Sequence, residues 1–181
     1  MNCIKTLTDL DFDLEVKDFN NPRIRYGTRG IIFNDKNEIA ILNKTNKNEY
    51  KLIGGGIEEN EDPIIAFKRE VLEETGCKVE IDACLGIIKE EKSQDNFMQT
   101  SYVYVAHVVE DTNHLNLTED EIDDNATLLW LSIDDAIDKI KSCENNLVGS
   151  KHEGNMSVYH AKFIVRRDYI ILKHYKNSYL K

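Results

Sequence analysis

The chain has 181 residues, with 23 Lys or Arg against 33 Asp or Glu, so its formal net charge is −10. At 41% hydrophobic and 31% charged residues it has the composition of one ordinary globular domain with material for a core. Two prolines and nine glycines exclude a collagen-like or disordered chain, and no apolar run approaches the ~20 residues of a membrane span. The acidic balance gives no general pull on nucleic acid or anionic lipid, so neither DNA nor membrane is an expected partner. Small anionic substrates stay open, provided a cation bridges them. The start of the chain, MNCIKTLTDLDFDLEV, places acids where a signal peptide needs an unbroken apolar stretch. Cys3, Cys77, Cys84 and Cys143 are scattered without a CxxC pair, which reads as reduced thiols. Both features point to the cytoplasm.

Residues 1–28 mix short apolar runs with charges and hold a turn signal at Asn21-Pro22. A hairpin is predicted from residues 30–33 and 38–43, joined by Asn34-Asp35-Lys36-Asn37. Residues 50–53 form a short strand that enters the triple glycine Gly54-Gly55-Gly56. The spacing of Ile64, Phe67, Val71 and Leu72 predicts a helix over 63–75, with Asp62 as N-cap, Pro63 in the first turn and Gly76 as the stop. Strands follow over 78–89, interrupted at Gly86, over 99–109 and over 127–131. Ser132 caps a short amphipathic helix carrying Ile133, Ala136, Ile137 and Ile140. Residues 152–155 are expected to be a loop, and 157–175 a C-terminal helix. Strands and helices mix without regular βαβ alternation, so the expected architecture is α+β, a mixed sheet with helices packed on it.

Glu70, Glu73 and Glu74 stand at i, i+3 and i+4 of the predicted helix, roughly 5–6 Å apart at Cβ. Phe67, Val71 and Leu72 point elsewhere, leaving a carboxylate face free for a cleft. Like charges at this spacing repel unless a cation lies between them, and hard oxygen donors suit Mg²⁺ or Mn²⁺. Taken alone, such a cluster is more often a solvated acidic face.

The flanking residues extend the pattern. Gly55 is followed after five residues by Glu61, and after seven more by Arg69-Glu70-Val71, Leu72, Glu73-Glu74, Thr75, Gly76 and Cys77. This resembles the Nudix hydrolase signature, G-x5-E-x7-R-E-U-x-E-E-x-G-U with U a bulky aliphatic residue, and only Cys77 departs from it. The family's layout extends over about 25–145, which makes the whole chain one domain with a short N-terminal extension and a C-terminal helix. Ile53 stands where the family often has Pro, which should loosen the loop. Asn60 stands where it often has Gly and tolerates the same left-handed turn.

The resemblance implies an α/β/α sandwich and a metal-dependent hydrolase that cleaves a diphosphate linkage in a nucleoside diphosphate joined to another moiety. Glu70, Glu73 and Glu74, with the carbonyl of Gly55, would hold Mg²⁺ or Mn²⁺. Arg69 and Glu61 would form an orienting ion pair. The general base would be a box glutamate, Glu74 or Glu73, or a distal one, with Glu121 preferred over Glu119; a solvated acidic loop is an equal alternative for both. Lys44 is a candidate phosphate contact and Tyr50 a candidate base-stacking residue, although surface exposure and core packing explain them as well. Arg23, Arg25 and Arg29 form a local positive group that either serves phosphates or pairs with acids. The five histidines show no metal-ligand spacing. A homodimer is expected from the family's habits. The competing reading is a Nudix-fold sensor or regulatory module that binds such a ligand without cleaving it; a non-hydrolytic isomerase has no feature in its favour.

Overall fold

The structure is a computed structural model and describes residues 1–150 and 154–179. The strands are β1 (Cys3–Thr8), β2 (Arg23–Phe33), β3 (Ile39–Lys44), β4 (Glu49–Leu52), β5 (Cys77–Lys92), β6 (Phe97–Asp111) and β7 (Ala126–Leu131). The helices are α1 (Pro63–Thr75), α2 (Glu119–Asp123), α3 (Ile133–Cys143) and α4 (Ser157–Tyr179). One mixed sheet runs in the order β1-β5-β6-β2-β3-β4, with β7 on β3. Side chains alternate across a strand, so Ile31 and Ile32 face opposite ways. Ile31 joins Ile39, Ile41 and Leu52 under α3 and α4, whereas Ile32 joins Ala40, Leu42 and Ile53 against Phe67 and Val71 of α1. Helices on both faces give the expected sandwich. No helix of the described residues is long and apolar enough to cross a membrane.

The predicted hairpin is corrected. Its turn exists, with Asn34 N–H donating to Glu38 O at 3.0 Å, but β2 and β3 pair only at Phe33 and Ile39. A strand has two edges, and both edges of β3 are taken by antiparallel partners, β4 and β7. Strand β2 instead runs parallel to β6 along its whole length, from Arg23 beside Phe97 to Phe33 beside His107. Two elements were not expected. Strand β1 adds to β5 in parallel, and Gly86 makes room for it: its φ is +131°, and a Cβ there would lie 2.3 Å from Asn2 O. The other is α2. His152 and Glu153 of the predicted loop lie outside the described residues, and Gly154 opens a 3₁₀ turn leading to α4.

Helix α1 has the predicted bounds. Asp62 accepts the N–H groups of Ile64 and Ile65, and Gly76 closes the helix at φ +71° with its N–H on Leu72 O. Its apolar face is narrower than predicted: Phe67 and Val71 are buried, while Ile64 and Leu72 are 46% and 38% exposed. The buried stripe runs 67, 71, 74, so that a glutamate takes its third position. That single substitution of charge for hydrocarbon organises the site.

Candidate active site

The glycine loop lies antiparallel against β2. Thr28 N–H donates to Gly55 O at 2.9 Å and Gly30 N–H to Ile53 O at 3.1 Å. The approach is close enough that a Cβ on Gly54, whose φ is +131°, would sit 2.3 Å from Thr28 O. Ile53 is fully buried against the α1 side of the core, so the position expected to loosen the loop anchors it. Asn60 adopts φ +62°, the left-handed turn for which its side chain suits it.

Two cations gather the carboxylates. Arg69 grips Glu61 with Nε at 2.9 Å and Nη2 at 3.0 Å, and the same Nη2 reaches Gly56 O at 3.0 Å. Its Nη1 lies 2.9 Å from Glu70 Oε1 and 3.2 Å from Glu73 Oε2. Hydrogen bonds from Arg69 hold Glu61 below the ordinary glutamate range, and Glu61 in turn raises Arg69. Lys51 is the second cation, 2.8 Å from Glu74 Oε1 and 3.6 Å from Glu121 Oε1. The other oxygen of Glu74 accepts Gly54 N–H at 2.7 Å, which ties helix, strand β4 and glycine loop together.

The expected single face of three carboxylates is therefore corrected. Glu74 turns into the core and is only 2% exposed, while Glu70 and Glu73 stay at the rim with Arg69. The helix has a 3.6-residue period, so i+4 from Glu70 already points toward the sheet when i−3 and i−7 of Glu74 are Val71 and Phe67. Among the described residues no three His, Cys, Asp or Glu side chains are placed to hold one metal ion together. Burial pushes the Glu74 carboxyl up to about 7, with the charge of Glu121 adding to it and Lys51 opposing. Burial acts the same way on Glu121, but Lys51 and the hydrogen bonds from Glu74 and Thr118 prevail and hold it down at about 2. Burial opposes the charge of Lys51, yet the two carboxylates raise it above the ordinary lysine value.

Glu121 does not lie on an extended loop. It is the third residue of α2 and forms a capping box with Thr118: Glu121 N–H donates to Thr118 Oγ1, and Thr118 N–H to Glu121 Oε2 at 3.1 Å. Glu119 is exposed. The Thr-x-x-Glu spacing at 118–121 was the signal for this turn of helix. Lys51 was missed; its signal was a lone lysine between apolar residues just before the glycines. Lys44 is buried against Asp124, 3.2 Å away, rather than standing on the surface. Tyr50 alternates with Lys51 along β4 and so packs with the core on the α3 and α4 side, away from Glu74. Tyr50 is not brought to the carboxylates, and Lys44 acts on the cluster only through its charge, which helps to hold Glu121 down.

A model of the NUDIX domain matches residues 23–148. The chain belongs to the Nudix family. Among curated relatives, the human diphosphoinositol polyphosphate phosphohydrolase NUDT4B is 40% identical over 90 residues, covering 50% of this chain and 46% of its own length. The human diphosphoinositol polyphosphate phosphohydrolase 3-beta is 39% identical over 90 residues, covering 50% of this chain and 51% of its own. The chain thus spans about half the length of the curated relatives it matches. Among solved structures, a Nudix hydrolase from Nitrosomonas europaea superposes with a TM-score of 0.55 at 20% identity, covering 77% of this chain and 90% of its own. The MutT protein from Methanosarcina mazei Go1 gives a TM-score of 0.50 at 20% identity, covering 82% and 96%. These two likenesses show that the fold is that of Nudix hydrolases.

Proposed function

We propose that this Nudix chain is a metal-dependent hydrolase that cleaves a diphosphate linkage in a small phosphorylated molecule. The substrate is a nucleoside diphosphate joined to another moiety or, in line with the names of the relatives, a polyphosphate bearing a diphosphate group. One observation carries the reading: Arg69 collects Glu61, Glu70, Glu73 and the Gly56 carbonyl at the mouth of the glycine loop.

The residues fit a small hard cation. Arg69 engages Glu70 through Oε1 and Glu73 through Oε2, which leaves one oxygen of each without a hydrogen bond among the described residues. Gly55 O retains a lone pair beside its bond from Thr28. A Cβ on Gly55 would lie 2.2 Å from Glu70 Oε2, so glycine keeps the space at this donor clear. Mg²⁺ usually takes only one or two carboxylates and keeps several waters, which suits two rim glutamates and one carbonyl. When bound, such an ion polarises the phosphoryl oxygen and lowers the pKa of water.

The chain's own groups supply position and proton control. Glu74 is assigned as the group that holds or releases a proton near neutral pH, since a base works best when its pKa is close to the working pH and Glu74 is held at about 7. Glu121, held near 2, is a weak base and instead keeps Lys51 charged and in place. The test is turnover of a panel of nucleoside diphosphate derivatives and phosphorylated diphosphates by chelator-stripped protein, with and without Mg²⁺ or Mn²⁺. Hydrolysis is expected only with metal. Full turnover without metal refutes the metal site, and binding of a panel member without hydrolysis in Mg²⁺ favours the sensor reading.

A further inference from the structure

Arg23, Arg25 and Arg29 alternate along β2 and therefore share the face that looks toward α4. There they line a cavity of about 370 Å³ together with Lys92 of β5 and Arg167 of α4, a size within the usual range of ligand sites. In a chain of net charge −10 this is a concentration of five cations. The carboxylates that pair with them are three: Asp95 with Arg23, Glu90 with Lys92 and Arg167, and Asp168 with Arg167.

Of the two cations left without a carboxylate among the described residues, Arg25 is exposed and Arg29 is buried, at 6% exposure, beside the fully buried and paired Arg167. Arg29 makes no ion pair among the described residues; its Nη1 donates to Thr28 O at 2.7 Å, while its Nε has no hydrogen-bond partner. Nη2 of Arg167 is likewise without one. Burial, followed by the charge of Arg167, pulls Arg29 down to about 10. A buried guanidinium without a counter-ion costs stability unless a ligand supplies the anion. Phe97, the phenyl ring of the cavity, already packs with Arg23 at 4.7 Å, Lys92 at 5.3 Å and the stacked ring of His160 at 6.1 Å, which leaves it little open face for a base. The cavity also adjoins the glycine loop. A Cβ on Gly56 would lie 2.7 Å from Arg25 Nη2, and Gly56 is the residue whose carbonyl Arg69 holds.

We propose that this cavity seats the phosphates of the substrate that are not cleaved, so that the substrate class is a small molecule with several phosphoryl groups, recognised through phosphate rather than through a base. The assignment rests on the reading of the glycine loop and α1 as the place of hydrolysis.

The probes are inorganic phosphate, pyrophosphate, tripolyphosphate and AMP, titrated calorimetrically into the chelator-treated full chain. Affinity is expected to rise with each phosphate and to be weak for AMP. Arg29→Met removes an unpaired buried charge, so it should melt at or above the wild-type temperature while weakening tripolyphosphate at least about 10-fold, as loss of a charge-assisted contact does. Arg25→Ala, at an exposed position, should weaken it as well and serves if Arg29→Met does not fold. In turnover assays both variants should raise KM and leave kcat within a few fold. AMP binding as tightly as tripolyphosphate, or wild-type tripolyphosphate affinity in the folded variants, overturns the proposal. Tripolyphosphate binding as expected in a protein that hydrolyses no diphosphate refutes the catalytic reading and leaves the anion site standing. Base-dependent hydrolysis that ignores both variants does the reverse.

Discussion

Glu74 offers the sharpest perturbation, because one carboxyl couples the stability of the fold to its chemistry. Its pKa is about 7 in the folded chain against an ordinary value of 4.5. A group whose pKa is raised on folding favours the folded state most where it is protonated. Stability is therefore expected to be highest below about pH 4.5, as far as Glu74 is concerned, and to fall as pH rises toward and through 7. The difference of about 2.5 units corresponds to about 3 kcal/mol at 1.36 kcal/mol per unit. Glu121 and Glu90 move the other way, but both lie near 2, so their contributions change only below about pH 4.5 and leave this window to Glu74. Glu74→Gln replaces the titrating group by a neutral one of almost the same shape. Its amide can satisfy Gly54 N–H or Lys51, not both, so about 1–3 kcal/mol is lost at the unsatisfied contact. The assay is urea unfolding in chelator from pH 5 to 8.5 for both proteins. Wild type should lose about 2–3 kcal/mol across the range and Glu74→Gln should show a nearly flat profile. With metal and substrate, the variant should also lose roughly 10²-fold or more in kcat. A wild-type profile that rises with pH, or an equal slope in the variant, would refute the argument that burial governs Glu74.

Glu121→Gln should weaken the α2 cap and the hold on Lys51, for about 1 kcal/mol of stability, and lower kcat, whereas exposed Glu119→Gln should match wild type in both; equal effects would remove Lys51 from the positioning of Glu74. Arg69→Lys cannot reproduce a fork that reaches three glutamates and a carbonyl, so metal affinity should fall about 10–100-fold, the usual effect of an outer partner, as read by Mn²⁺ titration. Arg167→Met leaves Asp168 buried without its cation and Glu90 with Lys92 alone, and should cost about 3–5 kcal/mol in urea unfolding, with unchanged stability contradicting the buried pairing. Glu90 is held at about 2 by Lys92 and Arg167 against the cost of burial; its stabilisation is present above about pH 4.5 and should disappear as pH falls toward 2, visible as an acid transition that Glu90→Gln shifts.

Much was legible in the sequence because it depends on neighbours along the chain. Asp62, Pro63 and Gly76 set the bounds of α1 through local capping. Asn60 found its left-handed turn because its own side chain tolerates it. The box itself is a pattern of spacings, and spacing survives folding. What the sequence left open depends on groups far apart in it. The three glutamates looked alike at i, i+3 and i+4, yet the sheet lies on one side of the helix only, so Glu74 went inward to Lys51 and the others stayed at the rim with Arg69. Strand β2 lost its hairpin partner because β4 and β7, arriving from elsewhere, filled both edges of β3. Lys44 was paired with Asp124 rather than with a box glutamate, and strand alternation turned Tyr50 to the other side of the sheet. Arg23, Arg25 and Arg29 formed a positive group in the sequence, but only the return of β5 and α4 placed Lys92 and Arg167 beside them, since burial and charge balance are properties of everything packed around a residue.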